Sequence, residues 1–276
     1  MKQLHFFVVA AVAIFMGLGF ASCLGTGDNN GEQQVTRADL ATVEFVGYMD
    51  MDYFFRLDTG EKLIPISGIS NVSVLEGVKR IFIIYVFESI EEINEQALIS
   101  DPTQREYHVS ITYATNLEDN RNVANLSTHD TANLGDSLTT KYYAPIKSID
   151  SLRIKDDYLT AWINYNMSGE KFHFFTLFRY RDDALRLGKN DAPDTLDVYL
   201  GHNVNGDSYY NTTSANLAQS NMGYAPLYFK AFNITSVIRN VSDEIDTSNL
   251  VLKVITRQTS TGNDTINVSY PVKYNF

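Results

Sequence analysis

From Arg37 onward the sequence alternates apolar and polar residues with a period of two, and this confines the chain to β-strands. In "REYHVSITYAT", residues 105–115, Tyr107, Val109, Ile111 and Tyr113 share one face, with His108, Ser110 and Thr112 opposite. That is the pattern of a half-buried strand. "DYFFRLDTGEKLIPI", residues 52–66, reads as two strands joined by a tight turn at Asp58, Thr59 and Gly60, where glycine can take positive φ. "KRIFIIYVFE", residues 79–88, is apolar on both faces from 81 to 87, so it is expected to be covered on both sides. With a further strand at 40–47 these segments make five, at 40–47, 52–58, 61–66, 79–88 and 105–115. Five such strands predict a small OB-like closed barrel over residues 38–120. The best helical candidates are short, at 91–99 and 214–219.

Residues 121–145 are rich in Asn, Asp, Thr and Ser, and composition reads them as a polar linker or insertion rather than a strand. Alternation resumes over 146–276. Strands are expected near 147–155, 158–166, 171–181, 195–202, 226–235, 248–257 and 264–275. Seven short strands with turn signals between them predict an immunoglobulin-like β-sandwich. "MSGE" at 167–170 suits a hairpin turn. Phe172, Phe174 and Phe178 stand two or four residues apart and are expected to face the sandwich core, with Trp162 in or beside it. The fold class is therefore all-β.

The chain has a single cysteine, Cys23, so no disulfide can form within it and packing alone must hold the fold. Cys23 follows a basic Lys2, an apolar run over residues 6–20 and the small residues Ala21 and Ser22. Residues 1–22 therefore read as a signal peptide, since the run is short of the roughly 20 residues that span a bilayer. The ending "FASC" resembles the lipobox of bacterial lipoproteins, whose cysteine is diacylated and becomes the first residue of the mature chain. The resemblance implies a membrane partner through a lipid anchor at Cys23, and two acyl chains suffice for stable anchoring. An ordinary secreted protein with a stray cysteine is the alternative. Residues 23–37, with three glycines and no apolar periodicity, read as a flexible tether.

A net charge of −11 with scattered Lys and Arg argues against nucleic acid as partner. Neither Gly-x-Ser-x-Gly nor His-Glu-x-x-His occurs, and His129 and Asp130 are neighbours in polar sequence, which cannot by itself form a triad. "HNVNGD", residues 202–207, places Asn203, Asn205 and Asp207 in alternation like a calcium loop but lacks the downstream glutamate; a glycine turn is the simpler reading. Asp50 and Asp52 could act as an acid pair, although solvated turn acids are commoner. No catalytic residue, metal ligand or cofactor is expected.

Taken in order, "DLATVEFVGYMDMDYFFRLDTGEKLIPIS", "VKRIFIIYVFESI" and "REYHVSI" resemble the N-terminal domain of the NigD-like family through "YF--LD-G--L-P" and "R-F--Y". "IDSLRIKDDYLTAWINY", "HFFTLFRY" and "LDVYLGHNVNGD" resemble its C-terminal domain. The resemblance implies a cell-envelope lipoprotein of the Bacteroidota, placed at the outer membrane, with an OB-like domain followed by a β-sandwich and no assigned catalytic residues. A non-enzymatic interaction module with a protein or glycan partner is the expected role, and a glycan-binding accessory lipoprotein is the alternative. Asp-Ser/Thr followed by a small or aliphatic residue resembles the O-glycosylation signal of these bacteria, which makes Thr131 and Ser137 candidate modification sites. The long loop over 205–226 holds Tyr209, Tyr210 and Tyr224. These rings with hydroxyls are candidates for a binding loop, or for pins that hold the loop to the sandwich end.

Overall fold

A computed structural model of the chain describes residues 34–46, 52–68, 75, 77–118, 123–126, 142–166, 171–180, 194–207, 228–239, 249–259 and 265–274. The chain divides into two compact units between Asn116 and Leu117. In the first, strands β1 (Thr36–Val46), β2 (Asp52–Leu57), β3 (Lys62–Ser67), β4 (Arg80–Phe87) and β5 (Glu106–Asn116) close a barrel in the order β1-β2-β3-β5-β4. β1 closes it by pairing antiparallel with both β2 and β4, while β3 and β5 run parallel. The expected five-stranded OB-like barrel is therefore present. Its first strand starts at Thr36, so Thr36 and Arg37 pair with β4 rather than belonging to the tether. A helix, α1 (Ile90–Ala97), and a 3-10 turn at Pro102–Gln104 join β4 to β5, and Ser89 caps α1 by accepting from the Glu92 amide at 2.9 Å.

Alternation along each strand fills the barrel. Ala41, Val43, Phe55, Leu57, Leu63, Ile81, Ile83, Tyr85, Phe87, Tyr107, Val109 and Ile111 form one buried cluster. The turn after β2 is the expected one: Gly60 takes φ +108° and its amide donates to the Leu57 carbonyl at 2.9 Å. Tyr113 departs from the expected face and is exposed. The cause is a register shift in the β4–β5 ladder, where Tyr85 pairs Ile111 but Ile84 pairs Tyr113. One extra residue, Thr112, turns every later side chain over, so Ala114 packs on the core in place of Tyr113.

The second unit holds a five-stranded sheet, β13-β12-β10-β9-β6, and a three-stranded sheet, β11-β8-β7. Its strands are β6 (Val123–Leu126), β7 (Ser148–Lys155), β8 (Tyr158–Asn164), β9 (Phe174–Tyr180), β10 (Asp194–Asn203), β11 (Phe229–Asn233), β12 (Leu250–Thr259) and β13 (Thr265–Lys273). Buried residues from both sheets, among them Leu159, Ala161 and Ile163, Leu196, Val198 and Leu200, and Leu250, Leu252 and Val254, make one core. The expected sandwich is present with two parallel pairs, β10 with β12 and β6 with β9. β10 and β12 run parallel because the chain between them crosses to the other sheet as β11 and returns.

Three details differ from the sequence reading. The expected linker contributes β6, and the Ala231 amide donates to the Leu117 carbonyl at 3.1 Å, so chain before residue 121 already belongs to this unit. Four residues of strand are too short to show a period in sequence. Within the sequence read as one strand over 226–235, the chain turns into a short helix, α2 (Thr235–Arg239), started by Asn233 Oδ1 accepting from the Thr235 amide at 3.0 Å. Phe172 precedes β9 and is 76% exposed, while Phe175 and Leu177 enter the core and Phe178 stacks on Tyr199 on the opposite face. β9 is covered on both sides, so its aromatic run could not say which face was inner. Trp162 packs against the core as expected and meets Phe229 edge-on at 4.7 Å.

Candidate functional site

Two buried polar clusters stand out among the described residues. The first lies in the barrel. The Arg80 side chain is fully buried and its two terminal nitrogens donate to Asp58 Oδ1 at 2.7 Å and Oδ2 at 3.0 Å. The same guanidinium donates to Thr42 Oγ1 at 3.1 Å. A planar fork against a carboxylate is the strongest ion-pair geometry that side chains make. Nearby in sequence, the Tyr85 hydroxyl donates to Asp39 Oδ2 at 2.9 Å, and burial, then the Asp39 charge, pushes its pKa well up.

The second cluster is in the sandwich, where His202 is the next-to-last residue of β10 and His173 precedes β9. β10 and β9 pair so that His202 lies opposite Phe175, whose ring stacks on the imidazole at 4.6 Å with 3° between planes. Gly201 is what allows a third segment in. A Cβ there would lie 2.8 Å from Tyr142 Cβ and 3.1 Å from the Phe178 ring. Without it the chain over 142–146 passes close, with the His202 amide donating to the Tyr142 carbonyl at 3.2 Å and the Ala144 amide to the His202 carbonyl at 3.0 Å.

Past β10 the chain turns at once. Asn203 Oδ1 accepts from the Asn205 amide at 2.8 Å, Asn205 and Gly206 take φ of +51° and +73°, and the Asp207 amide donates to the Val204 carbonyl at 2.8 Å. Asparagine and glycine are the residues that tolerate the left-handed conformation. Lys171 Nζ donates to the Gly206 carbonyl at 3.1 Å. The turn directs the Asp207 side chain inward, where Oδ2 lies 3.0 Å from His173 Nε2. His173 Nδ1 lies 2.8 Å from His202 Nε2, and His202 Nδ1 lies 3.2 Å from the Pro145 carbonyl. Tyr165 closes the cluster, its ring 5.2 Å from His173, 5.3 Å from His202 and 5.6 Å from Tyr228.

Burial dominates the electrostatics. It lowers the pKa of His173, against the hydrogen bond and charge of Asp207, which raise it. Burial and then the neighbouring His173 push His202 down to about 3, opposed by the bond to Pro145. Tyr165 and Tyr228 are both raised by burial. Both imidazoles are thus biased toward the neutral form.

The loop at 202–207 is therefore a turn and not an open ion loop, because Asn203 is spent on the Asn205 amide and Asp207 faces an imidazole. Among the described residues no group of three or more His, Cys, Asp or Glu side chains is placed to hold a metal ion. Cys23, Thr131, Ser137, Tyr209, Tyr210 and Tyr224 all lie outside the described residues, as do Asp50 and the "MSGE" segment. Sequence reasoning missed His173 and His202 as a pair. The signal was present as "HFF" opening one strand and "GHN" closing another, but only the β9–β10 register brings them together.

The sequence matches no family model, and comparison with curated proteins gives no significant match. Among solved structures, the chain is similar to a NigD-like immunity protein from Bacteroides caccae, with a TM-score of 0.48 and 14% identity over 85% of this chain and 95% of that one. It is also similar to a protein of unknown function, DUF1344, from Bacteroides vulgatus, with a TM-score of 0.46 and 16% identity over 86% of this chain and 91% of that one.

Proposed function

We propose that the chain is a NigD-like cell-envelope lipoprotein, held to a membrane by acyl chains on Cys23, whose two β-units serve as a non-enzymatic interaction module. The observation that carries this reading is the meeting of its two N-terminal motif segments. Asp58 of "YF--LD-G--L-P" and Arg80 of "R-F--Y" form the buried bidentate pair, Gly60 makes the turn, and Leu63 and Tyr85 share the barrel core. The motif residues thus form one internal framework, more than a coincidence of strand formers. The anchor reading is supported by the position of the single cysteine after an apolar run and before β1, which begins at Thr36.

The test is fractionation of cells making the parent chain or Cys23→Ser. The parent is expected with membranes, and the variant unprocessed or released. A variant that matures and sediments with membranes like the parent would sink the anchor. Crosslinking in intact cells is then expected to yield a protein partner. Retarded migration of the soluble chain in a polysaccharide gel, with no crosslinked protein, would favour the glycan-binding alternative.

A further inference from the structure

The cluster in the sandwich poses a problem of hydrogen counting. Three contacts run in series: Pro145 O to His202 Nδ1 at 3.2 Å, His202 Nε2 to His173 Nδ1 at 2.8 Å, and His173 Nε2 to Asp207 Oδ2 at 3.0 Å. Each needs one hydrogen between its heavy atoms, so the series needs three. A neutral imidazole carries one N–H, and an ionised carboxylate and a peptide carbonyl carry none that they can donate. Two neutral rings therefore supply two. If His202 donates to Pro145 and His173 donates to Asp207, the inner nitrogens face each other as bare lone pairs. Moving a hydrogen inward only transfers the defect to the carbonyl or to the carboxylate. Buried acceptors set against each other are costly.

We propose that the Asp207–His173–His202 series takes one hydrogen ion from solvent in order to close at these distances, and that it opens at one contact when the ion leaves. The ion lies on His173 or on Asp207, and either placement completes all three contacts. Closure ties the end of β10, the start of β9, the Pro145 segment and the turn over 203–207 to one another.

Among the described residues, the charged and titratable groups around the series come from several packed elements. Asp207 favours the ion, whereas Lys230 on β11 disfavours it. Lys171, ahead of β9, reaches the turn itself. Tyr165 and Tyr228 stay uncharged because burial raises both. Arg257 of β12 lies over the Tyr143 ring, 3.7 Å from its centroid, on the strand segment that bonds His202. Because the net effect on His173 is a lowered pKa, the ion is held on the acid side of the ordinary histidine value of about 6.5. It is lost as pH rises through the depressed value. A second ion is kept out until His202 titrates, at about 3.

Asp207→Asn separates this proposal from a plain ion pair. A carboxamide N–H donates to His173 Nε2, His173 Nδ1–H to His202 Nε2, and His202 Nδ1–H to Pro145 O, so the series closes with no ion from solvent. The measurement is the ring ¹⁵N shifts of both histidines in the full chain, from roughly pH 4 to 8. In the parent, the His173 nitrogens are expected to shift in one step below about pH 6.5 as the series loses its ion, while His202 senses that step and stays neutral. In Asp207→Asn both rings should stay neutral with hydrogen on Nδ1 throughout. The proposal is overturned if the His173 nitrogens show no step over the range, if His202 becomes charged within it, or if Asp207→Asn titrates like the parent. Movement of the same signals only on adding zinc or copper ions would overturn it in favour of a metal between the inner nitrogens. The parental titration decides alone should the variant fold poorly.

Discussion

At the scale of single residues, the barrel is organised around a charge that it cannot leave unpaired. The Arg80 side chain has no exposed surface and Asp58 is 10% exposed, so neither charge is screened as it would be at a surface. Desolvation makes such a pair a modest net stabiliser, but removing one partner strands the other. Asp58→Ala is therefore expected to cost about 3–5 kcal/mol, whereas Asp58→Leu combined with Arg80→Met is expected to recover most of that loss. Urea unfolding read as a midpoint at constant slope measures both. A cost below about 1 kcal/mol for Asp58→Ala, the size found for exposed pairs, would mean that the pair contributes little to the barrel. The same reasoning explains why Asp58 looked like an ordinary turn residue in sequence. Nothing local to it shows that an arginine 22 positions later returns to the same point.

At the scale of elements, register decides which parts of the sequence pattern survive. Gly68, just past β3, sits at φ +104°, and a Cβ there would lie 1.9 Å from the Ile111 carbonyl oxygen of β5. The obstacle is backbone, so it cannot rotate away. Gly68→Ala is expected to destabilise the barrel by about 2–4 kcal/mol. Gly77→Ala, at φ +76° with nothing within 4 Å of the added carbon, should cost only the conformational penalty of about 1–2 kcal/mol. Thermal unfolding of the two variants separates crowding from strain, and equal losses would refute the close β3–β5 approach. Much of this level was legible beforehand: the five barrel strands, the Gly60 turn, a short helix near 91–99 and most sandwich strands follow from alternation and turn chemistry. What was not legible depended on pairing. The extra Thr112 turned Tyr113 outward, β9 took cover on both faces, β6 was too short to show a period, and His173 met His202 only through register. The candidate site was thus almost unreadable, because its residues come from strand ends and a turn that no local pattern links.

At the scale of the whole molecule, the two hydrophobic cores share no residue. The barrel cluster runs from Ala41 to Ile111 and the sandwich cluster from Ile146 to Tyr274. Each unit also has its own buried polar cluster. The barrel leaves no open edge, since β1 bonds to β2 and β4, and closure removes the commonest route to misassembly of a small β-domain. Stability should therefore be a local property of each unit. Residues 34–116 and residues 117–276, made as separate chains, are each expected to unfold cooperatively. Their midpoints should fall within about 5 °C of the corresponding steps in the full chain, the shift that ~1 kcal/mol produces in domains of this size. Gly68→Ala should move the step assigned to residues 34–116 and leave the other in place. The cut before Leu117 is the demanding part, because the Leu117 carbonyl accepts from Ala231 in the second unit. A fragment starting at residue 146, the boundary expected from composition, would lack β6 and this bond. It should unfold at a lower temperature than residues 117–276. If the shorter fragment is equally stable, the segment before residue 146 adds nothing to the sandwich; if residues 34–116 show no cooperative step, the barrel is not a folding unit.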